Sequence, residues 1–169
     1  MKIIALDSSS AIYLAKIGLL PKLLEIGVEL LTTLEVSEEI KKGAEKGYKD
    51  ARIIGEFIKN KDIKETGVKK KEGAAKNANL KGADASIMAL AVEKSCLLAT
   101  EDSTLQSIAE SVGVSITNTA TLLYYIYKEN HMAKQQCIML LDLLGQYGYN
   151  KEIILEIKEE IIEEGENDE

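Results

Sequence analysis

Short apolar runs alternate with amphipathic stretches from residue 2 to residue 117, and no other feature constrains the fold as strongly. The runs are "IIAL" (3–6), "VELLTT" (28–33), "DIKETGV" (62–68), "CLLAT" (96–100) and "VSIT" (114–117). Each is short enough for a strand and bounded by polar or small residues. Between them lie helical patterns. Ile12, Ala15, Leu19, Leu20 and Leu23 recur at helical spacing, and Pro21, the only proline, opens a second short helix. "LEVSEEIKKGAEKG" and "KDARIIGEFIKN" read as two helices divided at Gly47. "ADASIMALAVEKS" reads as a helix with an apolar face of Ala85, Met88, Ala89 and Val92, and "DSTLQSIAESVG" as another. Such alternation predicts an α/β fold with a central parallel sheet of about five strands, linked by crossovers. "KKKEGAAKNANLKG" (69–82) has little apolar content and reads as a loop. Only helical patterns follow residue 117: "ATLLYYIYKEN", "KQQCIMLLDLLGQYG" and "KEIILEIKEEIIEE", with "GENDE" expected to be disordered.

Composition narrows the function. The chain of 169 residues can bury a core without disulfide or metal staples. No apolar run reaches the ~20 residues of a membrane span, and the N-terminal run stops at Asp7, too soon for a signal peptide. Cys96 and Cys137 form no CxxC pair and read as reduced, buried thiols of a cytoplasmic protein. A single histidine, His131, excludes a His-rich zinc site. The net charge of -7 argues against a nucleic-acid partner until its distribution is considered. Residues 151–169 hold nine acids and two lysines, whereas residues 1–150 balance at nineteen of each sign. Residues 59–81 carry eight lysines against three acids, so one segment is locally basic.

Sites in an open parallel α/β sheet lie beyond the C-terminal ends of the strands, near the switch in strand order. Four acids fall there. Asp7 ends the first run, Glu39 follows the second, Asp84 opens a helix, and Asp102 follows the fourth run. Taken singly, Asp84 and Asp102 read better as residues favouring helix N-termini. Asp7 resists that account, because Ser9 or Ser10 can supply the cap. Glu39 alone is a solvated helix acid. Together the four make a different case, since clustered carboxylates repel one another unless a cation sits among them. Oxygen-only ligands suit Mg²⁺ or Mn²⁺.

The stretches "IIALDSSSAIYLAK", "LEVSEEIKKG", "LKGADASIMALA" and "LLATEDSTLQSIAESVGV" resemble, in order and spacing, the PIN domain family of metal-dependent ribonucleases. The resemblance covers roughly residues 2–130. It implies a three-layer α/β/α sandwich, with a PIN-like catalytic domain over 1–130 and a C-terminal helical extension with an acidic tail over 131–169. That extension looks like the one found in an archaeal and bacterial branch of the family. The resemblance places the family's metal-binding, catalytic acids on Asp7, Glu39, Asp84 and Asp102. It places supporting positions at Thr100 and Ser8. Glu38 is an alternative to Glu39, which is preferred because it directly precedes Ile40, and Glu101 is a further acid beside Asp102.

The implied activity is Mg²⁺- or Mn²⁺-dependent hydrolysis of RNA, by a toxin of a toxin–antitoxin pair or by an RNA-processing nuclease. Lys69, Lys70 and Lys71 are candidate phosphate contacts. Tyr124, Tyr125 and Tyr127 share one helix and read as packing residues rather than base stackers. The resemblance further implies a homodimer and an inhibitory or assembly protein as partner. The rival with most weight is a PIN fold of weak or no activity, serving as an RNA- or protein-binding module. A receiver-like domain fails because the first run ends in one Asp followed by serines. A dinucleotide-binding module fails for want of GxGxxG. The Lys, Glu and Ile content hints at a thermophile or an archaeon.

Overall fold

A computed structural model describes residues 2–69 and 80–167. Five strands are present: β1 (Ile3–Leu6), β2 (Glu29–Thr32), β3 (Ile63–Glu65), β4 (Leu97–Ala99) and β5 (Ile116–Thr117). They form one all-parallel sheet in the order β3-β2-β1-β4-β5. β1 matches its apolar run, whereas β2 to β5 are each shorter than theirs, trimmed at ends such as Thr33 and Asp62. The described helices are α1 (Ser8–Lys16), α2 (Leu20–Glu25), α3 (Leu34–Glu45), α4 (Lys49–Lys59), α5 (Gly82–Lys94), α6 (Ser103–Ser111), α7 (Thr119–Lys128), α8 (Lys134–Gln146) and α9 (Lys151–Asn167). The architecture is the expected PIN-like α/β/α sandwich with C-terminal helices.

The parallel sheet is buried, as sheets built from βαβ units must be. Ile4, Ala5, Leu6, Leu30, Leu98 and Ala99 are all within 1% of full burial. Pro21 lies in the first turn of α2, where a missing N–H costs nothing. Gly47 takes a φ of +95° between α3 and α4, a conformation that strains any residue with a Cβ. The face expected on α5 does not hold. Ala85 is half-buried and Val92 is 44% exposed, whereas every residue from Ser86 to Ala91 is buried. A helix covered on all sides has no polar stripe to set its phase.

The chain forms two compact units, residues 1–118 and 119–169. The first holds the whole sheet with α1 to α6. The second holds α7, α8 and α9, which pack on one another. By contacts α7 thus joins the later helices, whereas a boundary at 130 leaves it with the sheet. Leu123, Ile126, Leu141, Leu144 and Ile161 are fully buried in this second unit. Tyr124 and Tyr127 are half-buried, their ring centroids 6.3 Å apart, which fits the packing role expected of them. The helical backbone of α9 continues to Asn167, beyond the Gly165 where the sequence pattern stops. Cys96, just before β4, and Cys137, in α8, are buried free thiols, one in each unit. No described helix is long and apolar enough to cross a membrane.

Candidate active site

The strand order reverses direction between β1 and β4, and the crevice beyond their C-terminal ends is the expected site. The ladder fixes what stands there. Leu6 is in register with Ala99, so the next residues, Asp7 and Thr100, emerge side by side. Asp7 N–H continues the ladder to Ala99 O at 3.0 Å. In-register neighbours on parallel strands point to one side of the sheet. Accordingly Thr100 Oγ1 donates to Asp7 Oδ2 at 2.8 Å. Ser9 Oγ, on the second residue of α1, donates to the same oxygen at 2.7 Å.

Asp7 is 4% exposed. A carboxylate so buried costs several kcal/mol unless its lone pairs are met, and two hydroxyl donors meet part of that need. Both hydroxyls go to Oδ2, which leaves Oδ1 outside this network. Asp7 occupies the N-cap position of α1 yet makes no capping hydrogen bond. Neither serine caps the helix either: Ser9 serves Asp7, and Ser10 Oγ donates to Glu101 Oε1 at 2.9 Å. Asp7 is therefore held by the strand end and aimed by hydroxyls, and helix capping does not explain it.

The β4 end is equally determined. Thr100 Oγ1 accepts Asp102 N–H at 3.2 Å, Ser9 Oγ accepts Glu101 N–H at 3.0 Å, and Gln106 Nε2 donates to Thr100 O at 2.7 Å. Asp102 does cap its helix, its Oδ1 accepting Leu105 N–H at 2.8 Å. On the β2 side, Thr33 caps α3 by accepting Val36 N–H and hydrogen-bonds Ser86 of α5 at 2.7 Å. That bond ties the starts of α3 and α5, the helices carrying Glu39 and Asp84. Ser8 Oγ donates to Glu39 Oε2 at 3.1 Å and so links α1 to α3.

Electrostatics shows which acids act on one another. The Asp84 carboxyl is pushed above its ordinary value of 3.8, first by partial desolvation, then by the charges of Asp7, Asp102 and Glu39. Asp84 is exposed as a residue, so the three charges are the part of the effect specific to this site. All four acids predicted from sequence thus share one electrostatic neighbourhood. None of them has a lysine or arginine partner among the described residues. Glu101 instead accepts the Ser10 hydroxyl. Glu38 lines a groove of about 720 Å³ between α3 and α4. A further cavity of about 600 Å³ opens at the other end of the sheet, beside Lys2 and Ser115, and carries no carboxylate.

Four carboxylates without a counter-cation among the described residues match a hard divalent ion in chemistry. As they stand, no three described acids, histidines or cysteines are close enough together to hold one. Of the lysines singled out for RNA, Lys69 donates its backbone N–H to Glu93 at 2.9 Å, and Lys70 and Lys71 lie outside the described residues. The sequence did not single out Gln106, Ser9 or Ser10 as parts of the site. Ser9 and Ser10 stand close to Asp7 in the chain, but their bonds to Glu101 span more than ninety residues across β1 and β4.

A PIN domain family model matches residues 3–164. The chain belongs to the PIN domain family. PIN domains are generally nucleases, typically dependent on divalent metal ions. Seventeen chains of known structure match this one. Among them is PAE2754 from Pyrobaculum aerophilum, with a TM-score of 0.54 and 18% identity over 75% of this PIN domain chain and 98% of that protein. At that identity the likeness concerns the fold. No curated protein matches the chain.

Proposed function

We propose that this PIN domain protein is a Mg²⁺- or Mn²⁺-dependent endoribonuclease whose acidic centre is Asp7, Glu39, Asp84 and Asp102. The observation that carries the reading is the convergence of these four carboxylates at the strand-order switch, with no described cationic side chain to neutralise them. When bound, a hard divalent ion supplies positive charge to the phosphodiester and acidifies water at neutral pH. The chain's own residues do the rest. Asp7, fixed by Ser9 and Thr100, offers a rigid carboxylate. Asp102 is fixed by its cap bond to Leu105 N–H, and Ser8 orients Glu39. Asp84, on the first turn of α5, has its carboxyl pushed above the ordinary value by desolvation and by the charges of Asp7, Asp102 and Glu39.

A second reading, a non-cleaving RNA- or protein-binding module, draws on the spacing of the acids, which form no ready ion cage. Manganese titration calorimetry on the wild type and Asp7→Asn, with cleavage of single-stranded RNA by the same samples, separates the two. The nuclease predicts Mn²⁺ binding that Asp7→Asn loses, together with a fall in cleavage of at least roughly a hundredfold. A wild type that binds no Mn²⁺ and cuts no RNA favours the module.

A further inference from the structure

A small cavity opens from one edge of the acidic centre. Its volume is about 290 Å³, and it shares Ser8 and Glu39 with the centre. From there it runs between α1, α3 and α4. Ligand pockets start at about 300 Å³, so this one suits a single nucleotide rather than a helix or a peptide.

Its lining is distinctive. Ile12, Ile40 and Ala51 give it apolar walls. Gly43 lets α3 and α4 approach, since a Cβ there would meet Ala51 Cβ at 3.2 Å and Tyr48 Cδ2 at 3.5 Å. The Tyr48 ring lies against this glycine, yet the residue is 59% exposed at the rim. On the wall a cation and a carboxylate stand side by side: Lys16 Nζ is 3.6 Å from Asp50 Oδ2. That separation is an ionic contact, longer than a hydrogen bond. Asp50 is held in place by Ala51 N–H, which donates to its other oxygen at 2.8 Å. Lys16 Nζ also lies 5.3 Å from the centre of the Tyr13 ring.

We propose that this cavity is the subsite for a guanine base flanking the phosphodiester that the acidic centre cleaves. The proposal rests on the nuclease reading for its place in the reaction and on the cavity for its chemistry. A phosphate is unsuited, because Asp50 and Glu39 both face the space. A ribose lacks the flat faces that Ile12, Ile40 and an aromatic rim accommodate. A base has those faces and an edge of donors and acceptors. Among the four RNA bases only guanine offers two N–H donors to one carboxylate, N1–H and the 2-amino group, beside O6 for a cation. Asp50 and Lys16 present that complement.

The test titrates the metal-free full chain with guanosine and with adenosine, followed by NMR. It also maps Mn²⁺-supported cuts in a uridine-rich RNA holding one guanosine. The subsite predicts guanosine binding roughly tenfold tighter than adenosine and cuts placed beside the guanosine. Asp50→Asn, which keeps the shape and can still accept Ala51 N–H, is expected to erase the guanosine preference and spread the cuts. Tyr48→Ala, at the exposed rim, is expected to weaken both nucleosides while keeping their ratio. Equal binding of the two nucleosides by the wild type, or a preference unchanged in Asp50→Asn, overturns the subsite. Cleavage without positional preference overturns it and spares the nuclease. Tight guanosine binding by a chain that cuts no RNA sinks the nuclease reading and upholds the guanine site.

Discussion

At the scale of single residues, the site turns on what each acid is held by. Asp7 is gripped by two hydroxyls, Glu39 by one, and Asp102 by a backbone amide, whereas Asp84 is set by desolvation first and by the other three charges after it. A raised carboxyl pKa means that the folded chain holds its proton more tightly than the unfolded chain does. Folding is therefore penalised above the raised value, and the penalty lifts as pH falls through it toward 3.8. In chelator-treated protein, Asp84→Asn is expected to raise Tm at pH 7 and to lose that advantage near pH 4. Because the residue is exposed, solvent screening keeps the gain small, on the order of 2 °C. Thermal scans across pH check it, and a variant less stable than wild type at pH 7 contradicts it. The acids themselves were legible because each follows an apolar run or opens a helix. Their supports were not. Which of three consecutive serines reaches Asp7, Glu39 or Glu101 depends on helix phase and strand register, and neither is written locally.

At the scale of elements, Asp102 does two jobs that substitution can separate. It caps α6 and lends its charge to the acidic centre. Asn caps nearly as well as Asp, and Ala does not. Asp102→Asn is therefore expected to keep stability within a few tenths of a kcal/mol while losing most RNA cleavage. Asp102→Ala is expected to lose the same activity and about 1 kcal/mol besides. Denaturant melts beside cleavage assays show whether the two effects part. Equal stability of both variants removes the cap from the account, and unimpaired cleavage by Asp102→Asn removes the charge. Strand order along the chain was legible from the alternation of runs, and so was the short helix opened by Pro21. The phase of α5 was not, because a helix buried from Ser86 to Ala91 leaves no polar stripe from which to read it. The split at Asn118 was also hidden, since α7 looks like any other amphipathic helix and only its neighbours decide where it belongs.

At the scale of the whole molecule, charge and burial are unevenly shared. The acids that set the net charge of -7 lie in residues 151–169, far along the chain from the four that converge at the strand ends. Each unit also encloses one thiol. Burial pushes the Cys137 thiol up to about 11, and it raises Cys96 as well, against smaller opposing effects from backbone hydrogen bonds and Lys94. At pH 8 the thiolate fraction of Cys137 is then about one in a thousand, and a reagent must wait for the core to open. Modification of the native chain by a thiol-specific reagent is expected to run at least roughly a hundredfold slower than in denaturant. Prompt reaction of either cysteine in native buffer contradicts this. Since the described cysteines fall one on each side of residue 118, each unit carries its own clock. Mass spectrometry of the two tagged peptides would time the breathing of the sheet and of the helical trio separately, in an unaltered chain, with no probe grafted on.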